Sequence, residues 1–243
     1  MNGLILLDYA NYKLRGKPPQ NIFTTLLDVL LNLGLINSGE RISCRIRSYG
    51  GWFLNMSQSP ERDAAVADIV GWPAIVSHKG VYCVTSMEFA DDLYVAAAVP
   101  SAPRIDIRDT VQEKKFPPRF RRGPKMKACT VSGCTAPALL KWFKSGIGCT
   151  QTACPNTFME CFQPQEQKQV DVHIAVDLAR AVRNTAYNFV AVVSDDVDFA
   201  PAMAGAISDR HSGCEVVWMR ASSSPIYLDT TLIGLGTKIV LGF

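Results

Sequence analysis

Apolar residues follow three kinds of pattern along this chain. The runs Leu4-Ile5-Leu6-Leu7 and Phe189-Val190-Ala191-Val192-Val193 are wholly apolar and short, the pattern of strands buried on both faces of a parallel sheet. Alternation marks a second kind, with Ile42, Cys44 and Ile46 set against Ser43, Arg45 and Arg47. It predicts a half-exposed strand from Arg41 to Tyr49, near a sheet edge or beneath an insertion, ended by Gly50-Gly51. Helical spacing is the third kind. It predicts helices from about Ile22 to Leu33, from Pro60 (with Ser59 as N-cap) to about Val70, from about Val170 to Arg183, and from about Pro201 to His211. Strand-like runs from Glu215 to Met219 and from Lys238 to Leu241 complete the C-terminal half, and the stretch holding Asn11 and Pro18-Pro19 reads as a loop.

Strands and helices in this alternation predict an α/β fold, a Rossmann-like three-layer sandwich with a mainly parallel sheet. The order is interrupted from about residue 74 to 168. There the runs Val81 to Thr85, Leu93 to Ala98 and Arg104 to Ile107 are short and β-like, and a basic proline-bearing segment and Cys129, Cys134, Cys149, Cys154 and Cys161 follow. The organisation expected is one domain over 1–243, carrying an inserted small Cys-rich/β module. With 243 residues, of which 48% are hydrophobic, the chain can bury a full core. A formal charge of +3 does not by itself identify a nucleic-acid binder, so the distribution of basic residues must decide. The N-terminal LILL is too short for a signal sequence, and no apolar stretch approaches the roughly 18 residues of a membrane span. These features point to a cytoplasmic protein with no membrane partner, whose eight cysteines are reduced and in part metal-bound.

Candidate chemistry lies where carboxylates interrupt the apolar pattern. Asp8 ends the first apolar run, and Asp195, Asp196 and Asp198 follow the second. In open α/β sheets the ligand crevice lies outside the carboxyl ends of the strands. On the helix beginning at Val170, a rotation of about 100° per residue groups Val170, Ile174, Ala175, Leu178, Ala181 and Val182 on one arc. Asp171 falls in the middle of that arc, toward the core side, and Asp177 at its margin, where a side chain reaches solvent. The structural alternatives are helix capping for Asp171 and a solvated turn, with Asp198 as cap, for the cluster after Val193. Three acids within four residues exceed what a cap requires. Crowded carboxylates repel unless a cation or shared protons compensate. Hard cations such as Mg²⁺ or Mn²⁺ take carboxylate oxygens and serve phosphodiester displacement, which makes phosphoryl chemistry the leading expectation.

These residues also carry a family resemblance. LILLDYANY, with Asp8 and Asn11, resembles the opening strand of NYN-domain proteins of the PIN-like nuclease superfamily. QKQVDVHIAVDLARAV is similar to that family's lysine-containing segment and acidic helix, matching Lys168, Asp171 and Asp177. VVSDDVDFAP is similar to its serine-glycine-aspartate-serine-aspartate-phenylalanine signature at Ser194, Asp196, Asp198 and Phe199. Asp195 stands where that signature has glycine, and Val197 where it has serine. SYGGWF, with Tyr49 and Trp52, looks like the end of the second strand in some relatives. The resemblance implies a divalent-metal-dependent hydrolase, most often an endoribonuclease. It further implies that Asp8, Asp171, Asp196 and Asp198 hold Mg²⁺ or Mn²⁺ and orient the attacking water, with Asn11 and Lys168 nearby contacting substrate phosphate or an acid; Ser194 is a further candidate substrate contact, and Asp195 and Asp177 are further candidate ligands beside these acids.

The insertion adds two features. Cys129 and Cys134, then Cys149 and Cys154, form two C-x4-C pairs. Four thiolates suit a structural zinc site in a module spanning about 127–162, with Cys161 as an alternative ligand and free buried thiols as the competing explanation. Cys44, Cys83 and Cys214 read as core residues, and the three histidines have no paired spacing. The segment from Lys114 to Lys127 gathers Lys114, Lys115, Arg119, Arg121 and Arg122 around Phe116 and Phe120. Positive charge with stackable rings suits single-stranded RNA, or DNA, and a solvated loop or a protein-contacting tract is the alternative. Three functions remain in view: a metal-dependent endoribonuclease, a non-cleaving RNA- or protein-binding module, and a small-molecule phosphohydrolase. A homo-oligomer or a protein partner is compatible with each.

Overall fold

The computed structural model describes residues 1–16, 18–54, 57–93, 111–113, 119–120, 162–163, 165–167, 169–223, 226 and 228–242. The chain forms two compact units, residues 1–110 with 168–243, and residues 111–167. In the first unit β1 (Asn2–Asp8), β2 (Arg41–Tyr49), β5 (Ile75–His78), β6 (Val81–Phe89), β11 (Phe189–Val193), β12 (Glu215–Arg220) and β13 (Lys238–Leu241) form one sheet in the order β13-β12-β11-β1-β2-β6-β5. All neighbours are parallel except β5, which pairs antiparallel with β6. The fold is α/β with a mixed, mostly parallel sheet. A two-residue hairpin pairs β3 (Phe53–Leu54) with β4 (Ser57–Gln58). In the second unit β7 (Val111–Glu113) pairs antiparallel with β10 (Gln165–Gln167), and β8 (Arg119–Phe120) with β9 (Phe162–Gln163).

Period-two alternation divides the central strands between two cores. Leu4, Leu6, Val190, Val192, Val216 and Trp218 pack with helices α4 (Val170–Ala181) and α5 (Ala200–Asp209). Ile5, Leu7, Ala191, Val193, Val217 and Met219 pack on the other face with α1 (Tyr9–Arg15) and α2 (Pro19–Asn32). Proline at the start of α2 suits a position where no helical N–H bond is needed, and Ile22, Phe23, Leu26, Leu27 and Leu30 form its buried stripe. Ser59 caps α3 (Pro60–Ile69) by accepting from the Arg62 N–H, as the sequence predicts.

Three expectations change. The first concerns β2, which lies inside the sheet between β1 and β6. Its alternation arises because Arg41, Ser43 and Arg45 face solvent, whereas Arg47 further along the same face is buried against α4. The second is the start of the insertion near residue 74. Strands β5 and β6 continue the main sheet, and the separate unit begins at residue 111. Their one-sided exposure, with Ile75, Tyr82 and Val84 open to solvent, gave them the look of a small β module. The third is the loop around Asn11, which is largely the short helix α1, and a further helix α6 (Asp229–Leu235) precedes β13. Of the other expected strands, residues 94–98 and 104–107 lie outside the described residues. Among the described residues no helix is long and apolar enough to cross a membrane.

Candidate active site

The apolar run of β1 is completely buried up to Leu7 and delivers Asp8 to the C-terminal end of a central strand. Asp8 is the N-cap of α1. Its Oδ1 accepts from the Asn11 backbone N–H at 3.2 Å, and its Oδ2 from Asn11 Nδ2 at 2.5 Å and from Ser194 Oγ at 3.0 Å. Burial raises the Asp8 pKa, the bonds from Asn11 and Ser194 oppose that rise, and the Asp196 charge adds to it.

Parallel pairing of β1 with β11 brings the second acidic turn alongside. Ser194 follows β11 directly and is buried. It ties four things together: its N–H donates to the Met219 carbonyl, its hydroxyl donates to Asp8 and accepts from the Asp196 N–H, and its carbonyl accepts from Trp218 Nε1. Asp196 Oδ1 then accepts from the Asp198 N–H at 3.0 Å and caps the 3-10 turn Val197–Phe199, whose Phe199 is buried. The helix that the capping alternative assigns to Asp198, α5, has no side-chain cap; Asp196 caps the preceding 3-10 turn instead, and Asp198 is exposed.

Asp171 comes from a third part of the chain, the first turn of α4. That helix starts after Gln169 in the left-handed conformation (φ 67°) with no side-chain cap, so capping does not account for Asp171. It is exposed and does not face the core, although its neighbour Val170 on the same predicted arc is buried. Its pKa is pushed up to about 6, first by partial desolvation and then by the charges of Asp196, Asp8 and Asp198. The charges of Asp8, Asp196 and Asp198 thus all reach Asp171. Among the described residues, no group of three or more His, Cys, Asp or Glu side chains is drawn in to metal-holding distance. The donors are all hard carboxylate oxygens, the ligand type that Mg²⁺ or Mn²⁺ takes, and the acid charges that add to the desolvation of Asp171 are what a divalent cation relieves.

The two further candidate acids, Asp177 and Asp195, bond to other parts of the fold. Asp177 is fully buried and is not at a solvent margin. Its Oδ2 accepts from Arg47 Nε at 3.0 Å and from the Tyr49 hydroxyl at 2.5 Å, and Arg47 also engages Glu88 and Asp92. Burial, then the Asp177 charge, hold the Tyr49 phenol protonated well above its ordinary range. Asp195 accepts from the Ser222 N–H. The sequence did not single out Arg47, although a charged residue at the buried end of β2 and an acid within an apolar helical stretch were signals of such a pair.

Lys168, Lys114, Lys115, Arg121, Arg122, Cys129, Cys134, Cys149, Cys154, Cys161 and the Arg119 side chain lie outside the described residues. Cys44, Cys83 and Cys214 are buried free thiols, as the sequence predicts. His78 pairs with Asp28, and His211 Nε2 lies 3.0 Å from the Tyr187 carbonyl. Comparison of the chain with protein-family models, curated proteins and solved structures returned no match.

Proposed function

We propose that this chain is a divalent-metal-dependent endoribonuclease on a Rossmann-like, PIN-like sandwich, hydrolysing phosphodiester bonds of single-stranded RNA. The carrying observation is the convergence of acids from separate parts of the chain, Asp8 at the end of β1, Asp196 and Asp198 after β11, and Asp171 at the start of α4, near enough that the charges of the first three add to the desolvation that raises Asp171. Acids converging from separate elements at the carboxyl ends of parallel strands are the expected arrangement of a ligand site in an open α/β sheet. The resemblance to NYN-domain blocks supplies the substrate class.

In this proposal Asp8, Asp171, Asp196 and Asp198 hold Mg²⁺ or Mn²⁺. Held by these carboxylates, such a cation would supply Lewis acidity toward the phosphate and lower the pKa of the attacking water. Ser194 and Asn11 keep the Asp8 carboxylate oriented and favour its charged form. Asp196, by capping the 3-10 turn, fixes where Asp198 enters the site. Exposure of Asp198 and Asp171 leaves the cluster open to a polymer. The basic segment from Lys114 to Arg122 attracts the polyanion, and zinc held by Cys129, Cys134, Cys149 and Cys154 stabilises the inserted unit.

The test is cleavage of end-labelled single-stranded and structured RNA, with matched DNA, in Mg²⁺ or Mn²⁺. Cleavage by wild type that disappears with Asp196→Asn and with EDTA is the expected result. Intact polymers under all conditions, with RNA still bound, would transfer the function to a non-cleaving module. Turnover of nucleotide or sugar phosphates alone would transfer it to a small-molecule phosphohydrolase.

A further inference from the structure

Asp195 occupies the position of a glycine in the signature that the turn after β11 resembles, and its side chain makes a bond that glycine cannot. Its Oδ1 accepts from the Ser222 backbone N–H at 2.9 Å, in the segment leaving the C-terminal end of β12. The other end of that segment is fixed by a second carboxylate. Asp229, buried at the start of α6, accepts from the Ile226 N–H at 2.8 Å, and Arg220 Nη1 lies 3.3 Å from each of its oxygens. Arg220 is the last residue of β12, and its guanidinium lies 5.3 Å from the centre of the Trp218 ring. Trp218 in turn donates to the Ser194 carbonyl. Ile226 and Leu228 pack against the core on the α4 and α5 side, whereas Ser223 is exposed.

The backbone is therefore anchored at Ser222 and again at Ile226, and the first anchor is the residue between Ser194 and Asp196. Because β11 and β12 are parallel neighbours, both of their C-terminal ends reach the same border of the sheet, and the Asp195 bond sets the Ser222 backbone beside the acid-bearing turn. Residues 221–228 contain no lysine or arginine. The uncharged hydroxyls and amides of Ser222 and Ser223 beside the acid-bearing turn add little bulk attraction for a polyanion, but they can fix the register of a strand through bonds to its sugar and phosphate oxygens.

We infer that Asp195 is a positioning residue, which holds the segment after β12 as a wall of the acidic site so that Ser222 and Ser223 contact the nucleic-acid strand beside the scissile phosphate. The inference rests on the nuclease proposal for its substrate. It assigns Asp195 a role separate from holding the cation, since one of its oxygens is committed to an amide of a neighbouring segment.

The experiment compares Asp195→Gly and Asp195→Asn in the full chain. Amide hydrogen exchange across 221–228 is followed in metal-free protein, RNA dissociation constants are measured in EDTA, and KM and kcat are measured on single-stranded RNA in Mn²⁺. Asp195→Gly is expected to speed exchange at Ser222 by about tenfold and to raise KM and the RNA dissociation constant by roughly five- to tenfold, the worth of about one hydrogen bond. Its kcat should change less than its KM. Asp195→Asn, which keeps an Oδ1 acceptor, should recover most of the protection and affinity. Unchanged exchange and RNA binding in Asp195→Gly would overturn the inference. So would loss of Mn²⁺ binding together with kcat, as for Asp196→Asn, which would make Asp195 a metal ligand. If wild type cleaves no polymer, the nuclease proposal falls, while exchange and RNA affinity still decide whether the wall exists and binds.

Discussion

At Asp171, partial desolvation and repulsion from Asp196, Asp8 and Asp198 push the carboxyl to about 6, so its ionised form opposes folding at neutral pH. The sign follows from the two states. A carboxyl of ordinary pKa near 3.9 in the unfolded chain gives up its proton more readily than the folded one, so the penalty is complete above about pH 6 and absent below about pH 4. Asp171→Asn should therefore stabilise the metal-free protein at pH 7 by about 1 kcal/mol, a figure reduced for solvent screening at this exposed residue. The gain should vanish near pH 4, as read from thermal melts across that range. Asp177 behaves in the opposite way. Asp177→Ala strips a buried partner from Arg47 and an acceptor from Tyr49, and should cost about 3 kcal/mol in denaturant unfolding, the lower end for broken buried pairs because Glu88 and Asp92 still engage Arg47. A stabilised Asp177→Ala protein would contradict this assignment.

Element by element, the sequence was most legible where one physical cause dominated. The runs of β1 and β11 are buried on both faces, and their apolar patterns gave strand and placement together. Ser59 and Pro60 marked the start of α3 because capping and proline geometry are local. The position of β2 was misread because a strand's exposure depends on which helix covers it: Arg47 meets α4 and Arg45 does not. Helix α1 is not legible in the sequence because it is only seven residues long and its N-cap is Asp8, an acid that also ends a strand. The placement of Asp8, Asp196 and Asp198 just beyond β1 and β11 was legible from the apolar runs, and Asp171 from the start of the helical pattern. The cap assignment at Asp196, the buried pair of Asp177 and the Asp195 bond were not, since each depends on contacts made only in the folded chain. Close packing of β1 on β11 has its own test. Gly3 lies opposite Phe189, and a Cβ there would come within 1.9 Å of that ring. Gly3→Ala should destabilise the protein by about 1–3 kcal/mol through forced repacking, with the circular-dichroism midpoint as readout.

For the molecule as a whole, acids of opposite tendency share one pH axis. Asp8 and Asp171 are raised, so in metal-free protein their contribution to stability grows as pH falls. Asp28 is lowered, chiefly by the bond from Lys79 and then by His78; Asp68 is also lowered, since bonds from Lys13 and Tyr9 outweigh its burial. Their contribution is present above the ordinary carboxyl range and is lost as pH falls through their folded values. Melting temperature without metal should therefore peak between about pH 4 and pH 6. Saturating Mn²⁺ should shift the peak upward in pH, because binding draws on the deprotonated acids. A profile that Mn²⁺ leaves unchanged would argue against a site at these residues. The central claim is that Asp8, Asp171, Asp196 and Asp198 act together as one cation site, and calorimetric Mn²⁺ binding to wild type and to the four single Asp→Asn variants at pH 7.5 tests it most directly. The result expected is saturable binding by wild type that weakens about tenfold or more in every variant. Wild-type binding that survives all four substitutions, or no binding at millimolar Mn²⁺, would contradict it.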